Sequence, residues 1–136
     1  MAFVVDSSVT MSWCFADEAT DYTESVLDRL RDLPAVVPAI WPLEVSNVLL
    51  VGERRRRITH SRATRFVRVL QELPISVDSE TVSASLGPVL QLGREYGLTA
   101  YDAAYLELAM RRGLPLATLD EVLIAAASEA GVDLLE

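Results

Sequence analysis

Residues 2–9 read AFVVDSSV, a short apolar run that ends at an aspartate and continues into small hydroxyl residues. Consecutive apolar residues are typical of a parallel strand buried on both faces, because a strand with one wet face alternates apolar and polar residues. Asp6 then lies where this first strand leaves the sheet. Similar runs predict four more strands, at 35–37 (AVV), 74–77 (PISV), 114–118 (LPLAT) and, as a short edge strand, 132–135 (VDLL).

Segments with helical spacing and helix-capping residues separate these runs. They predict helices over about 20–31, from Pro42 to about 53, from Thr59 or Ser61 to about 72, over about 80–96 with a break or kink at Gly87-Pro88, and over about 99–112 and 119–130. Strands that alternate with helices, without a hairpin turn between them, predict an α/β fold. We expect a three-layer α/β/α sandwich around a five-stranded, mostly parallel sheet.

The composition describes one globular domain, residues 1–136, with a formal net charge of −8 from 12 basic and 20 acidic side chains. All the basic residues are arginines. A chain without lysine lacks the residue that a P-loop or Schiff-base enzyme needs, which argues against both classes.

Few residues are available for crosslinks or for soft-metal sites. The single cysteine, Cys14, excludes an internal disulfide, and Cys14 with the single histidine, His60, cannot complete a structural zinc site. No apolar run approaches the roughly 20 residues of a membrane-spanning helix. The start, MAFVVD, lacks the features of a signal peptide, so we expect a cytoplasmic protein without a membrane partner.

Four acidic residues have strongly apolar surroundings: Asp6 in VVDSSV, Glu44 in WPLEVSNVLL, Asp102 in TAYDAAYLELA and Asp120 in LATLDEVLI. Two of them follow predicted strands and two lie in the first turns of predicted helices. Parallel sheets bind ligands beyond the carboxyl ends of their strands. Several acids held together near a core are costly unless a cation neutralises them, so the pattern predicts a divalent-metal site.

Each acid also has a purely structural interpretation. Asp6 is a good cap for a helix starting at Ser7, Thr99 with Asp102 fits a capping box, and Glu44 and Asp120 suit the first turn of a helix. Any one acid alone favours this simpler interpretation. The four together favour the metal site.

Four segments in this order and spacing resemble the PIN-domain ribonucleases, in particular the VapC toxins of bacterial toxin–antitoxin pairs. The matching segments are VVDSSV at 4–9, PLEVSNVL at 42–49, LTAYDAAYLELA at 98–109 and LATLDEVLIAAASEAGV at 116–132. The resemblance implies an endoribonuclease dependent on Mg²⁺ or Mn²⁺, which hydrolyses RNA phosphodiester bonds with a metal-activated water. It further implies a homodimer and a cognate VapB-like antitoxin.

The resemblance assigns the acidic centre to Asp6, Glu44, Asp102 and Asp120. We expect Asp6 and Asp102 to bind metal directly, and Glu44 and Asp120 to act partly through water or as a proton acceptor. In a supporting role, Ser7 and Thr118 match small hydroxyl residues that often line the family's site. Asn47 shares a helix face with Glu44 at i+3 and could orient it or a metal-bound water.

The positive charge is concentrated in one block, because seven arginines and no acids lie within 54–68: Arg54, Arg55, Arg56, Arg57, Arg62, Arg65 and Arg68. Guanidinium groups pair well with phosphate, which favours contact with RNA. A solvated helical hairpin and a surface for the antitoxin are the alternatives. The two tryptophans, Trp13 and Trp41, could stack on an unpaired base, but core or dimer packing is favoured for both.

Two other functions are compatible with parts of the sequence. Asp6-Ser7-Ser8-Val9-Thr10 approaches the D-x-D-x-T segment of haloacid dehalogenase phosphatases, but Ser8 replaces the second aspartate and no lysine is present. The other rival is a catalytically silent metal-binding module that acts through protein partners. The identity of the RNA, the cleavage site, the antitoxin and the number of metal ions stay open.

Overall fold

A computed structural model describes all of the chain, Met1–Glu136. Its sheet contains four parallel strands in the order β3-β2-β1-β4: β1 (Phe3–Val5), β2 (Ala35–Val37), β3 (Ile75–Val77) and β4 (Leu116–Ala117). Every residue of β1 and β2 is buried. Because neighbouring residues of a strand point to opposite faces, both faces of the sheet centre are covered, as the apolar runs predicted.

Eight α-helices flank the sheet. They are α1 (Ser7–Ser12), α2 (Asp21–Arg29), α3 (Trp41–Arg54), α4 (His60–Glu72), α5 (Thr81–Ala84), α6 (Leu90–Tyr96), α7 (Ala100–Arg112) and α8 (Glu121–Ala130). A 3₁₀ turn, Ala16–Glu18, follows α1. The α/β prediction is therefore confirmed, and no helix is both long and apolar enough to span a membrane.

The prediction of five strands is wrong by one. The segment 132–135 joins β4 only through an isolated parallel bridge between Leu134 and Leu116. Two backbone hydrogen bonds of 2.9 Å accompany this bridge. The Leu116 amide donates to the Asp133 carbonyl, and the Leu135 amide donates to the Leu116 carbonyl. Since β4 is only two residues long and the chain leaves the sheet at Thr118, no longer ladder can form beside it.

The predicted helix over 80–96 is interrupted, as Gly87-Pro88 suggested. A π-helical turn, Ser85–Val89, contains Pro88 and separates α5 from α6. Proline has no N–H for the regular i→i−4 hydrogen bond, and a π turn accommodates the missing donor within a continuous helical path. The helix α7 ends at Gly113, whose φ of +63° lies in the left-handed region that glycine adopts without strain.

The helix α7 passes through the core. Seven consecutive residues, from Ala103 to Ala109, are buried, and Tyr105 is the largest fully buried side chain of the protein. A helix buried all round must be held on every side, so its first turn, which carries Asp102, has a fixed position relative to β1 and β4.

A candidate active site at the carboxyl edge of the sheet

Asp6 begins α1 directly after β1 and is 4% exposed. One carboxylate oxygen, Oδ1, accepts hydrogen bonds from the Ser8 hydroxyl at 2.6 Å and from the Val9 amide at 3.1 Å. The other, Oδ2, accepts a short hydrogen bond from the Thr118 hydroxyl. The same side chain therefore caps α1 through one oxygen and contacts the end of β4 through the other.

Asp120 occupies the equivalent place after β4. Its side chain caps α8 by accepting from the amides of Val122 and Leu123, at 2.9 and 3.2 Å. The Asp120 amide donates to the Thr118 hydroxyl oxygen at 3.0 Å. Because that hydroxyl in turn donates to Asp6, Thr118 joins the two strand ends that carry the acids.

Glu44 and Asp102 reach the same edge from helices. Glu44 lies in the first turn of α3, and its Oε1 accepts a hydrogen bond of 2.5 Å from the hydroxyl of buried Tyr105 on α7. Asp102 lies one turn before Tyr105, in the first turn of α7, which Thr99 caps. Residues three apart share a helix face, so α7 presents Asp102 and the Tyr105 hydroxyl side by side.

The electrostatics show that the four acids form one group. Burial, followed by the negative charges of Asp120, Asp6 and Glu44, raises the pKa of Asp102 to about 6. Burial also raises the pKa of Asp6, and the charge of Asp120 adds to this effect against the hydrogen bonds from Ser8 and Thr118. The pKa of Glu44 is raised by burial and by Asp6, and lowered by the Tyr105 hydrogen bond. The Asp102 carboxyl therefore senses the negative charge of the other three acids.

The donor set fits a hard divalent cation in its chemistry. The carboxylate oxygens are partly withdrawn from water, and their negative charges repel one another. A bound cation would offset this repulsion. No three acidic, histidine or cysteine side chains are already placed to hold a metal ion. The oxygens of Asp6 and Asp120 accept hydrogen bonds from the chain. Asp102, by contrast, accepts no hydrogen bond from a hydroxyl, amide or guanidinium donor.

The predicted supporting residues divide into two groups. Thr118 and Ser7 lie at the site, where a Ser7 hydrogen bond helps to lower the pKa of Glu44. Asn47 is exposed, and its side chain makes no hydrogen bond within the chain. Its suggested role in orienting Glu44 stays a prediction.

The arginine block lies on the surface, apart from the acids. All seven side chains are exposed, but Arg57 donates to Asp17 and Glu18 at 3.1–3.2 Å and lies 4.2 Å over the Phe15 ring. Arg57 thus ties the α3–α4 connection to the 3₁₀ turn. Of the two tryptophans, Trp41 is 8% exposed and donates to Thr10, and Trp13 donates to the Thr23 carbonyl, so core packing rather than base stacking describes both.

Sequence reasoning missed two residues of the site. Ser8 links Asp6 to the other strand end, because its hydroxyl also accepts from the Leu119 amide at 3.0 Å. Tyr105 positions Glu44. The spacing of Tyr105 at i+3 from Asp102 was a signal for its position, whereas nothing local indicated the Ser8 contact with residue 119.

The sequence matches the family profile of the PIN domain over residues 3–129. The chain belongs to the PIN domain family. The match includes all four acids and both strand ends that position them.

Individual relatives agree with this assignment and with the VapC resemblance seen in the sequence. This PIN domain is 28% identical to the protein named Ribonuclease VapC3 of Pyrobaculum aerophilum, over 90% of this chain and 92% of that protein. Its structure is similar to that of PAE2754 from Pyrobaculum aerophilum, with 27% identity, a TM-score of 0.67, and 93% and 86% of the two chains covered.

A more distant structure shows the shared fold. VapBC2 from Rickettsia felis, bound to a DNA fragment from its promoter, matches this PIN domain with a TM-score of 0.71 at 11% identity, over 99% of this chain and 98% of the other.

Proposed function

We propose that this PIN domain is a divalent-metal-dependent endoribonuclease and the toxin of a VapBC-type toxin–antitoxin pair. The observation that carries the proposal is the convergence of four carboxylates from four separate elements on one edge of the sheet. Burial and mutual repulsion raise the pKa of three of them, Asp6, Glu44 and Asp102. The relative named Ribonuclease VapC3 supports RNA as the substrate.

Asp6 and Asp102 are the proposed direct ligands of Mg²⁺ or Mn²⁺, and Glu44 and Asp120 act partly through water or as proton acceptor. A bound cation supplies a water of lowered pKa and charge stabilisation at the phosphate. Asp102 suits direct coordination because its side chain has no hydroxyl, amide or guanidinium donor, and its hydrogen bond to the Asp120 carboxyl is one that a cation would replace. Tyr105 fixes Glu44 in one orientation, and Thr118 and Ser8 fix Asp6.

The test is cleavage of total RNA by the purified, antitoxin-free protein in Mg²⁺ or Mn²⁺, followed by sequencing of the fragment ends. We expect discrete cuts that disappear in EDTA and in the variants Asp6→Asn and Asp102→Asn. Asp32→Asn removes an exposed acid elsewhere and serves as the matched control. Intact RNA in every sample, with metal bound and the fold retained, would instead support the catalytically silent metal-binding module.

The proposed antitoxin partner has a candidate surface. An apolar groove of about 290 Å³ lies along α4 and is lined mainly by Trp13, Leu27, Ile58, Phe66 and Val69, with Arg62 and Arg65 among its lining residues. An amphipathic acidic segment complements such a groove. We expect Arg62→Glu to abolish co-purification with a co-expressed VapB-like antitoxin, whereas Arg68→Glu, outside the groove, leaves it intact.

The proposed homodimer also has a candidate surface. Leu86 and Leu90 form a short exposed apolar row on the π turn and α6, with exposures of 90% and 42%. Exposed apolar rows of this kind mark protein contacts. We expect Leu86→Arg to convert a dimer to a monomer in sedimentation experiments, and Leu50→Arg, at an exposed apolar position on α3, to leave the mass unchanged.

A further inference from the structure

Tyr101 is exceptional among the aromatic side chains. It is 58% exposed, whereas the other eight are buried or half-buried, and its hydroxyl has no hydrogen-bond partner in the chain. A single exposed ring is ordinary on a protein surface, so the significance of Tyr101 depends on its position beside the acids and on the groove that it lines.

The position of Tyr101 is at the rim of the carboxylate site. It precedes Asp102 in the first turn of α7. Exposed apolar residues precede two of the other acids in the same way, Leu43 before Glu44 and Leu119 before Asp120. The acidic centre is therefore bordered by apolar side chains, and Tyr101 is the only aromatic one.

Tyr101 also borders a groove that runs away from the acids. The groove has a volume of about 370 Å³ and lies between the start of α7, α5 and the loop before α3, with Ile40, Val82 and Ala104 among its lining residues. Ile40 is one turn before Glu44, whose amide donates to the Ile40 carbonyl. No acid lines the groove, but its lining includes Ile40, one helical turn before Glu44, and Tyr101, the residue before Asp102.

We infer that Tyr101 and this groove receive an unpaired nucleobase of the substrate, adjacent to the phosphate at the acidic centre. The inference rests on the proposed ribonuclease function. A scissile phosphate held at the acids brings its neighbouring bases within a few ångströms of the rim. There an aromatic face binds any base by stacking, while a base in a duplex presents no free face.

The test uses three variants of the full chain. Tyr101→Ala removes the ring, Tyr101→Phe keeps it, and Met110→Ala removes an exposed apolar side chain near the other end of α7. Steady-state cleavage of a labelled single-stranded RNA that contains a mapped cut site gives KM and kcat for each. Base stacking predicts that Tyr101→Ala raises KM about tenfold, with kcat changed less, and that Tyr101→Phe and Met110→Ala stay within about twofold of the parent.

A second measurement assigns the effect to a base. The measurement uses proteins that also carry Asp6→Asn, because this substitution prevents cutting in Mg²⁺. Fluorescence anisotropy then gives the affinity for the same RNA and for copies with one abasic nucleotide at successive positions. At one position near the cut, we expect removal of the base to weaken RNA binding about tenfold when Tyr101 is present. The same removal should leave the RNA affinity of the Tyr101→Ala variant unchanged.

Three results would overturn the inference. Equal KM and equal affinity for Tyr101→Ala and its parent would show that the ring contacts no base. An equal loss with abasic and intact RNA would assign the ring a structural role. A change in sedimentation without a change in RNA affinity would assign the groove to a second copy of the chain. If the parent cuts no RNA, the proposed function fails, and the binding measurement still decides the role of Tyr101.

Discussion

At the scale of single residues, the site is built from side chains with two roles. Asp6 and Asp120 each cap a helix through backbone amides, and each also faces the other acids. A buried carboxylate that accepts hydrogen bonds is less costly than an unsatisfied one, so capping makes the acid cluster tolerable to the fold. The structural interpretation of these aspartates is therefore confirmed, and the same geometry is compatible with their proposed role in metal binding.

Asp102 makes the metal-free protein sensitive to pH. Its pKa of about 6 lies above the ordinary value of 3.8, so the folded state binds this proton more tightly than the unfolded state. The free energy of unfolding in EDTA then rises as the pH falls from about 7 towards 4. Since solvent screens this partly buried group, we expect a contribution of about 1 kcal/mol.

Urea unfolding in EDTA at pH 7 and pH 5 measures this effect. The wild-type protein gains stability between these values relative to Asp102→Asn, which has no proton to bind. A constant difference between the two proteins at both pH values would contradict the assignment. Asp32→Asn, at an exposed position, should follow the wild type.

Tyr105→Phe removes only the hydroxyl that holds Glu44. The ring still fills the core, while Glu44 loses its 2.5 Å hydrogen bond and its defined orientation. Second-sphere changes of this kind typically cost about 10- to 100-fold in activity or metal affinity, which sets the expected loss in kcat/KM. Tyr96→Phe on α6 is the control, and parity between the two variants would argue against a positioning role.

At the scale of elements, an arginine clamp fixes the far end of α7. Arg111 donates to both oxygens of Asp78, at 3.2 and 2.7 Å, and to both oxygens of Glu107, at 3.0 and 2.8 Å. The two carboxylates are almost fully buried. Hydrogen bonding to Arg111 lowers the pKa of Asp78. The clamp thereby joins α7, which carries Asp102 and Tyr105, to the chain that follows β3.

Arg111→Ala is expected to destabilise the fold by about 3 kcal/mol, because it leaves two buried carboxylates without a cation. Arg112→Ala removes the neighbouring, exposed arginine and should change stability by less than about 0.5 kcal/mol. Urea denaturation of both variants measures the difference. Equal midpoints would show that Asp78 and Glu107 are satisfied in other ways.

The elements also show how far the sequence predicts this molecule. Buried strands and most helices were predictable, because apolar runs, caps and terminal glycines are local signals. The convergence of Asp6 and Asp120 followed from one geometric rule, that parallel strands end at the same edge. The Tyr105–Glu44 and Ser8–Leu119 contacts join residues 61 and 111 positions apart, and no local signal specifies such distances. The segment 132–135 was wrongly predicted as a fifth strand, because its pairing depends on the length of the neighbouring strand β4.

At the scale of the whole molecule, charge is unevenly distributed. The net charge of −8 coexists with an arginine-rich surface on α3 and α4 and with a compact acidic centre. A cation bound at that centre relieves repulsion that the folded state alone contains, and ligands that bind only the folded state stabilise it.

Mn²⁺ or Mg²⁺ should therefore raise the melting temperature of the wild-type protein. At a concentration about 100 times the dissociation constant, the stabilisation is about 2.7 kcal/mol, which corresponds to an increase of about 10 °C for a domain of this size. Differential scanning calorimetry with increasing Mn²⁺ measures it. Asp6→Asn should remove most of the increase, and a rise of equal size in that variant would place the bound metal elsewhere.

The capping role of Asp6 and Asp120 has a genetic consequence. Asparagine starts a helix as well as aspartate does, and one base change converts an aspartate codon to an asparagine codon. Mutation can therefore discard the negative charge of either residue in one step while the gene still encodes a folded product. A population under selection against the activity would be expected to accumulate such alleles more readily than truncations if the inert protein still engages its partners.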